Sequence, residues 1–534
     1  MPKIFHSNLL LTSASALILS VTVVMGGCSK KDKGGAPVIS AEKAPLGLSG
    51  LSNQDFAKHF AVPKRDIDGA QSDKALAALG LSESGQNGLT WDSQSGGNGS
   101  YVFKNMSSKS DDGTMAIGQA KIFGVRMDGD TATFDRADFS GLKLTAEDVV
   151  LNVEAMSLAR PTADTAKAIV QSLENLTEDI DLDFDDNAKF GFGALSMKGL
   201  NVQADEVSGT IDQLAWGVDK ETSLADLKLE ALDFTMPQKG SDVRSLLTLK
   251  SVSAKNFNTD QIKDGFAAGA SGGAPKFSTL MSSFNAYKKP YDSASIEGLA
   301  FDSNAISVDM PKMEAEAKTK GDVTTINQVT EAINITMKKD GPREFRQMYD
   351  TLQQLGFDAI TFKGSQTTVL DKGKDTMEVK DGIFDMKDGF RLNYTYGASG
   401  LSALAQSGEA SHSDQAAQLQ NMLENMKING MTLSLEDKSI VERGLKLAAQ
   451  MRGGEVKQVK REMRAAVTFA PLAARNDLEK DIASQLGSSF MDFIDEGGTL
   501  TVKLAPNTPI NLSKIQDIQN LTSDDLGFSA RHDK

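Results

Sequence analysis

The chain has 534 residues, with 57 Lys and Arg against 72 Asp and Glu and a formal charge of −15. Hydrophobic residues make up 40%, enough for a sizeable core, so wholesale disorder is excluded. The acidic balance argues against DNA, RNA or an anionic lipid surface as the main partner, because each needs clustered Lys and Arg. The one cysteine rules out an intrachain disulfide and any Cys-based structural zinc site. Four histidines, His6, His59, His412 and His532, are scattered too widely to suggest a triad or a three-ligand zinc site.

The first element is an export signal. Lys3 opens it, Leu9–Met25 is apolar or small throughout, and it closes on Gly26-Gly27-Cys28. A run this short that ends at a processing site reads as a secretory signal and not as a spanning helix. With the sole cysteine at that site, the segment resembles the lipobox of bacterial lipoproteins, although Met25 stands where Leu is usual. The resemblance implies that Cys28 becomes the acylated first residue of the mature protein, anchored by two or three acyl chains. Ser29 follows where enteric sorting places Asp for inner-membrane retention, which points to the outer membrane, facing the periplasm. Residues 29–50 are charged, then rich in Gly, Pro, Ala and Ser, as a tether should be.

Two short helical patterns come next, around Asn53–Phe60 and Ser72–Gly80, and then a turn-rich stretch around Trp91. From Tyr101 to about Leu401 the dominant period is two, which predicts strands. Asp128-Gly129, Asp381-Gly382 and Asp388-Gly389 lie between such runs as hairpin turns. Helices are predicted over Thr162–Leu176, over Pro342–Leu355 with a stop at Gly356, and over Gln415–Met426. Ser439 and Glu442 make a capping box for a helix over Ile440–Met451. Helices follow over Glu455–Phe469 and Asp477–Ile494, then a strand over Thr499–Leu504.

A degenerate repeat runs through the strand-rich part, with the core apolar-x-apolar-x-Gly-Leu-x-apolar. Its small-residue slot is filled by Gly141, Gly199, Ala231, Gly298 and Gly430, at irregular spacing. Physically it reads as a strand bent at a small residue, with apolar side chains on one face to either side of the bend.

No catalytic constellation is evident: there is no G-x-S-x-G, no H-E-x-x-H, and no phosphate-binding glycine loop. The string Asp179–Asp186 would set Asp179, Asp181, Asp183 and Asp185 on one face of a strand, a weak candidate for Ca²⁺. A solvated face guarding a sheet edge is the preferred reading, so no metal and no cofactor are expected. His59 and His412 read as surface or satisfied residues. The basic run Lys457–Arg464 reads as a solvated helix face, with a lipid-headgroup face as the alternative.

The expected fold class is β-rich α+β: a long antiparallel sheet of many short strands, interspersed helices, and a helical C-terminal part. The chain divides into a signal peptide (1–27), a flexible tether (28–50), a helical and turn-rich segment (51–100), a repetitive β-sheet domain (101–435), and a helical C-terminal region with one closing strand (436–534). Over roughly residues 100–435 the repeated Gly-Leu strands resemble the AsmA-like β-sheet proteins of the Gram-negative envelope. Those proteins are held by an N-terminal helix, whereas this chain has Cys28, and the resemblance carries no functional residue across. The C-terminal helices followed by Gly498–Pro506 resemble uncharacterised exported proteobacterial proteins. The expectation is an exported, lipid-anchored, non-enzymatic envelope protein with a binding or scaffold role, handling a lipid through an apolar sheet face or holding another envelope protein, and binding no nucleic acid. The alternative is a carboxylate- or metal-dependent hydrolase of periplasmic glycan.

Overall fold

A computed structural model describes residues 43–85, 88–110, 113–146, 149–163, 165–166, 169–170, 191–204, 207–219, 221–238, 241–258, 289–402, 424–513 and 521–534. The described residues form two compact units: one of those between Leu48 and Phe257 with Ala294–Asn304, the other of those up to Gly47, between Asn258 and Ser293, and from Ala305 onward. Both are built on antiparallel strands, and the longer helices lie in the C-terminal part, so the chain is β-rich α+β, as the period-two pattern predicts.

The first unit opens with α1 (Asn53–Phe56), a 3-10 turn (Ala57–Phe60) and α2 (Gly69–Ala78). The Asp68 carboxylate caps α2 by accepting from the Gln71 amide, which starts the helix earlier than the apolar spacing alone suggests. The strands are β1 (Leu89–Thr90), β2 (Ser93–Gly97), β3 (Ser100–Ser110), β4 (Gly113–Phe123), β5 (Arg126–Asp128), β6 (Thr131–Thr133) and β7 (Arg136–Ala146). They continue as β8 (Val149–Ala159), β9 (Ala194–Ala204), β10 (Ser208–Asp219), β11 (Leu224–Gln238), β12 (Ser241–Asn258) and β13 (Ser293–Asp302). Strands β3, β4, β7, β8, β9, β10 and β11 pair in that order, each antiparallel to the next.

The Gly-Leu repeat is a feature of this register. Asn105, Gly141, Gly199 and Ala231 all have left-handed backbones, with φ between 49° and 64°, on β3, β7, β9 and β11. Gly118, Glu154 and Asp212 stand between them, at the single step each pairing skips. The left-handed residues therefore form one transverse row across seven strands. On β13, Gly298 has the same conformation (φ 63°). A strand residue at this φ puts two successive side chains on the same side, so the in–out alternation slips by one position. Along β7 the apolar phase runs Ala137, Phe139, then Leu142 and Leu144; along β9 it runs Leu195, Met197, then Leu200 and Val202. This slip is what the string apolar-x-apolar-x-Gly-Leu-x-apolar encodes. At Gly199 the constraint is also steric, because a Cβ there would stand 2.5 Å from Glu154 Cγ.

The second unit contains β14 (Ile306–Lys320), β15 (Val323–Met337), α3 (Arg343–Gln354), β16 (Ile360–Asp371), β17 (Thr376–Met386), β18 (Phe390–Ser399) and β19 (Lys427–Asp437). The six strands pair in chain order. Next come α4 (Ile440–Arg452), α5 (Val456–Phe469) and α6 (Asp477–Glu496), which share a core of Leu445, Ala449, Val459, Met491 and Ile494. Strand β20 (Thr499–Leu504) returns beside β19, β21 (Ile510–Asn511) also pairs with β19, and after α7 (Ser523–Leu526) strand β22 (Phe528–Asp533) pairs with β20. Helix α6 packs on β20 and β22. The predicted helices over 342–355, 440–451, 455–469 and 477–494 are all present within a residue or two.

Several expectations need correction. Asp128-Gly129 and Asp388-Gly389 do turn hairpins, but Asp381-Gly382 lies inside β17, at a register shift opposite Gln366. The left-handed Asp381 (φ 54°) serves a bulge, which needs the same backbone as a turn. Gly430 is not left-handed and does not belong to the row; the irregularity of β19 lies where Gly397↔Gly430 gives way to Ala398↔Ile428, leaving out Asn429. The Ser439–Glu442 capping box does not form. Ser439 Oγ donates to the Asp388 carbonyl instead, Asp437 caps the helix by accepting from the Val441 amide, and Glu442 pairs with Lys446. At the tether, Lys43 donates to Thr367 Oγ1 and the Gly47 amide to Glu314, so residues 43–47 lie on the second unit.

Candidate binding face

Residues directly opposite one another in antiparallel strands share a face. In the first unit this gives a ladder Met106–Ile117–Leu142–Val153–Leu200–Ile211–Leu232 on one side of the left-handed row. On the other side a second ladder runs Phe103–Ala120–Phe139–Met156–Met197–Leu214–Leu229, and a third Tyr101–Ile122–Ala137–Leu158–Leu195–Trp216–Leu227. Every member of the three is apolar or aromatic. The register that the repeat imposes thus builds one continuous apolar face.

That face is not equally covered. Over β3, β4 and β7 it is closed core, where Phe103, Ala120 and Phe139 are buried in a cluster with Ala75 and Leu76 of α2. Over β8 to β11 the second and third ladders are less closed: Met156, Leu195, Met197, Leu214, Trp216 and Leu229 are only half-buried, although Leu158 and Leu227 of the third ladder are buried and Met156 and Leu195 pack against the closed cluster. These six are neighbours in register and none carries a charge. Two are methionines, whose flexible thioethers adapt to irregular apolar shapes. The Trp216 indole meets buried Phe257 edge-on, with ring centroids 5.1 Å apart.

The opposite face is held by charge. Asp226, 1% exposed, accepts from Lys58 Nζ at 2.8 Å, from His59 Nε2 at 2.9 Å and from the Asn256 amide at 2.9 Å. Gly217 leaves room for the imidazole, because a Cβ there would lie 2.3 Å from the His59 ring. The cluster pins the 3-10 turn to β10 and β11, with Leu51, Phe56 and Ala215 packed beside it. Burial, the largest single influence, pushes the Asp226 carboxyl up; the bonds from His59, Lys58 and Asn256, with the Lys58 charge, outweigh it and hold the group at about 2. Since the folded value lies below the ordinary 3.8, the stabilisation is full above 3.8 and is lost as pH falls through about 2. Asp226→Asn is expected to cost about 2 kcal/mol at neutral pH. Its urea stability should also lose acid sensitivity below about pH 4; parallel curves for variant and wild type would show that the ionised cluster contributes nothing.

His59 is thus a satisfied buried residue, one of the two readings its sequence context allowed. Cys28, Asp179, Asp181, Asp183, Asp185 and His412 lie outside the described residues. Among the described residues no group of three or more His, Cys, Asp or Glu gathers as a metal set, and no helix is long and apolar enough to cross a membrane. A family model described as an uncharacterized protein matches residues 383–533, from β17 through β22. No curated protein matches the chain.

Proposed function

We propose that the chain is an exported, lipid-anchored envelope protein that binds without catalysing, and that it holds a lipid acyl chain against the half-buried face of β8–β11. One observation carries this reading: four uncharged apolar side chains, Met197, Leu214, Trp216 and Leu229, neighbours in register and outside the closed cluster, stay half-buried on a face that is closed core a few strands away. Soluble proteins rarely leave such a surface without a use for it. The N-terminal sequence supports the setting, since an anchor at Cys28 would hold the chain at a membrane, and Ser29 favours the outer one. The lack of a nucleophile–base or metal motif in the sequence supports a binding role.

The test is organic extraction and mass spectrometry of tag-purified protein from its own membranes. Extraction releases non-covalent lipid and leaves covalent acyl chains on the protein. About one released lipid per chain is expected, and Leu214→Asp should abolish it while leaving a folded protein. An extract free of lipid, or one unchanged by Leu214→Asp, would overturn the reading.

A further inference from the structure

On a chain of formal charge −15, residues 451–476 carry six basic side chains against two acidic ones, Glu455 and Glu462. The segment is the end of α4, all of α5, a 3-10 turn (Ala470–Leu472) and the approach to α6. Lys457, Arg461 and Arg464 stand exposed at i, i+4 and i+7 of α5, along one side of the helix. Four of the six basic groups are ion-paired: Lys460 and Arg464 with Asp495, Arg452 with Glu462, and Arg475 with Glu479. The buried side of α5, through Val459 with Met463 and Val467, faces the helical core.

The same segment holds the three most exposed large apolar side chains among the described residues. Met451 is 79% exposed at the start of the segment, and Phe469 and Leu472 are 63% and 78% exposed at the far end of α5. Phe469 and Leu472 bracket Ala470-Pro471 in one tight turn, so two large apolar groups project from a single tip. Exposed apolar groups carry a cost in water. Basic side chains beside an apolar tip are the combination that suits a surface with negative headgroups over hydrocarbon. Neither an acidic protein face nor water alone satisfies both halves.

We infer that the Phe469–Leu472 tip inserts into an anionic lipid bilayer, with the basic side of α5 lying against the headgroups. This contact is independent of the anchor at Cys28 and of the apolar sheet face, and it uses residues that neither involves.

The experiment uses the full chain with Cys28→Ala and one new cysteine, Leu472→Cys, labelled with an environment-sensitive NBD dye. Vesicles of phosphatidylethanolamine with about one-third phosphatidylglycerol should shift the NBD emission to the blue and brighten it at least twofold. Spin-labelled acyl chains should quench it. The same label at exposed Lys339→Cys should not respond. Lys457→Gln with Arg461→Gln should raise the lipid concentration needed for half-response by roughly 25-fold, about fivefold per charge. No shift with the anionic vesicles, an equal shift at position 339, or insensitivity to the two charge changes would overturn the inference. So would a shift seen with native membranes but not with pure lipid, which would assign the tip to a protein partner.

Discussion

Leu200→Asp is expected to destabilise the first unit by about 4 kcal/mol, because it places a carboxylate with no partner in the middle of an apolar ladder. Leu200 is 7% exposed and stands in register between Val153 and Ile211, themselves buried. A buried charge is either desolvated or neutralised, and both cost folding free energy. Leu299→Asp, next to Gly298 on β13, should cost less, since Leu299 is only half-buried. Leu214→Asp should likewise leave most of the stability in place, because its side chain already meets solvent. Urea denaturation followed by circular dichroism ranks the three. If Leu200→Asp unfolds at the same urea concentration as wild type, the ladder is not core and the reading of the Gly-Leu repeat fails with it.

The second large effect concerns the anchor. Cys28→Ala is expected to remove all palmitate label and to move the protein from the membrane fraction to the soluble periplasm, or to leave the signal uncleaved. A chain with two or three acyl groups is held stably, and one with none keeps no such attachment. The expectation rests on the order of residues alone: an apolar run, Gly26-Gly27, then the sole cysteine. Wild-type protein without acyl label would remove the basis for placing the chain in the envelope.

How far the fold could be read depends on how local its determinants are. The phase slip at Gly141, Gly199 and Ala231 was legible because it is written within eight residues of one strand, as a displaced alternation around a small side chain. Asn105 has the same backbone but escapes the pattern, since Asn tolerates left-handed φ without resembling Gly. Gly430 fits the pattern because its neighbours imitate the repeat, but there β19 is irregular at Asn429 instead. The transverse alignment of the row was not legible at all. It follows from pairing register, and connections of different length hide it behind irregular spacing.

The candidate site was legible only in part. That apolar side chains share a face follows from the repeat, but which of them remain half-buried depends on what packs over each strand. The Lys58–His59–Asp226 cluster joins residues 167 positions apart, with no motif at either end to pair them. At α4 the Ser439–Glu442 box matches its pattern but loses to Asp437, two residues upstream of Ser439, and to the Asp388 carbonyl, which tertiary structure brings to the same helix end. The basic run on α5 was visible, whereas the exposure of Phe469 and Leu472 beside it could be known only from the packing of three helices.

The most direct measurement is the fluorescence of Trp216 in the full chain carrying Trp91→Phe, titrated with a fatty acid brominated midway along its chain. Bromine quenches indole only near contact, and Trp216 is half-buried in its ladder between Leu195 and the buried Leu227. An acyl chain held on the sheet face gives deep, saturable quenching that Leu214→Asp weakens at least tenfold. Quenching that never saturates, or that is the same in the Leu214→Asp variant, would mean that the apolar face of β8–β11 holds no lipid.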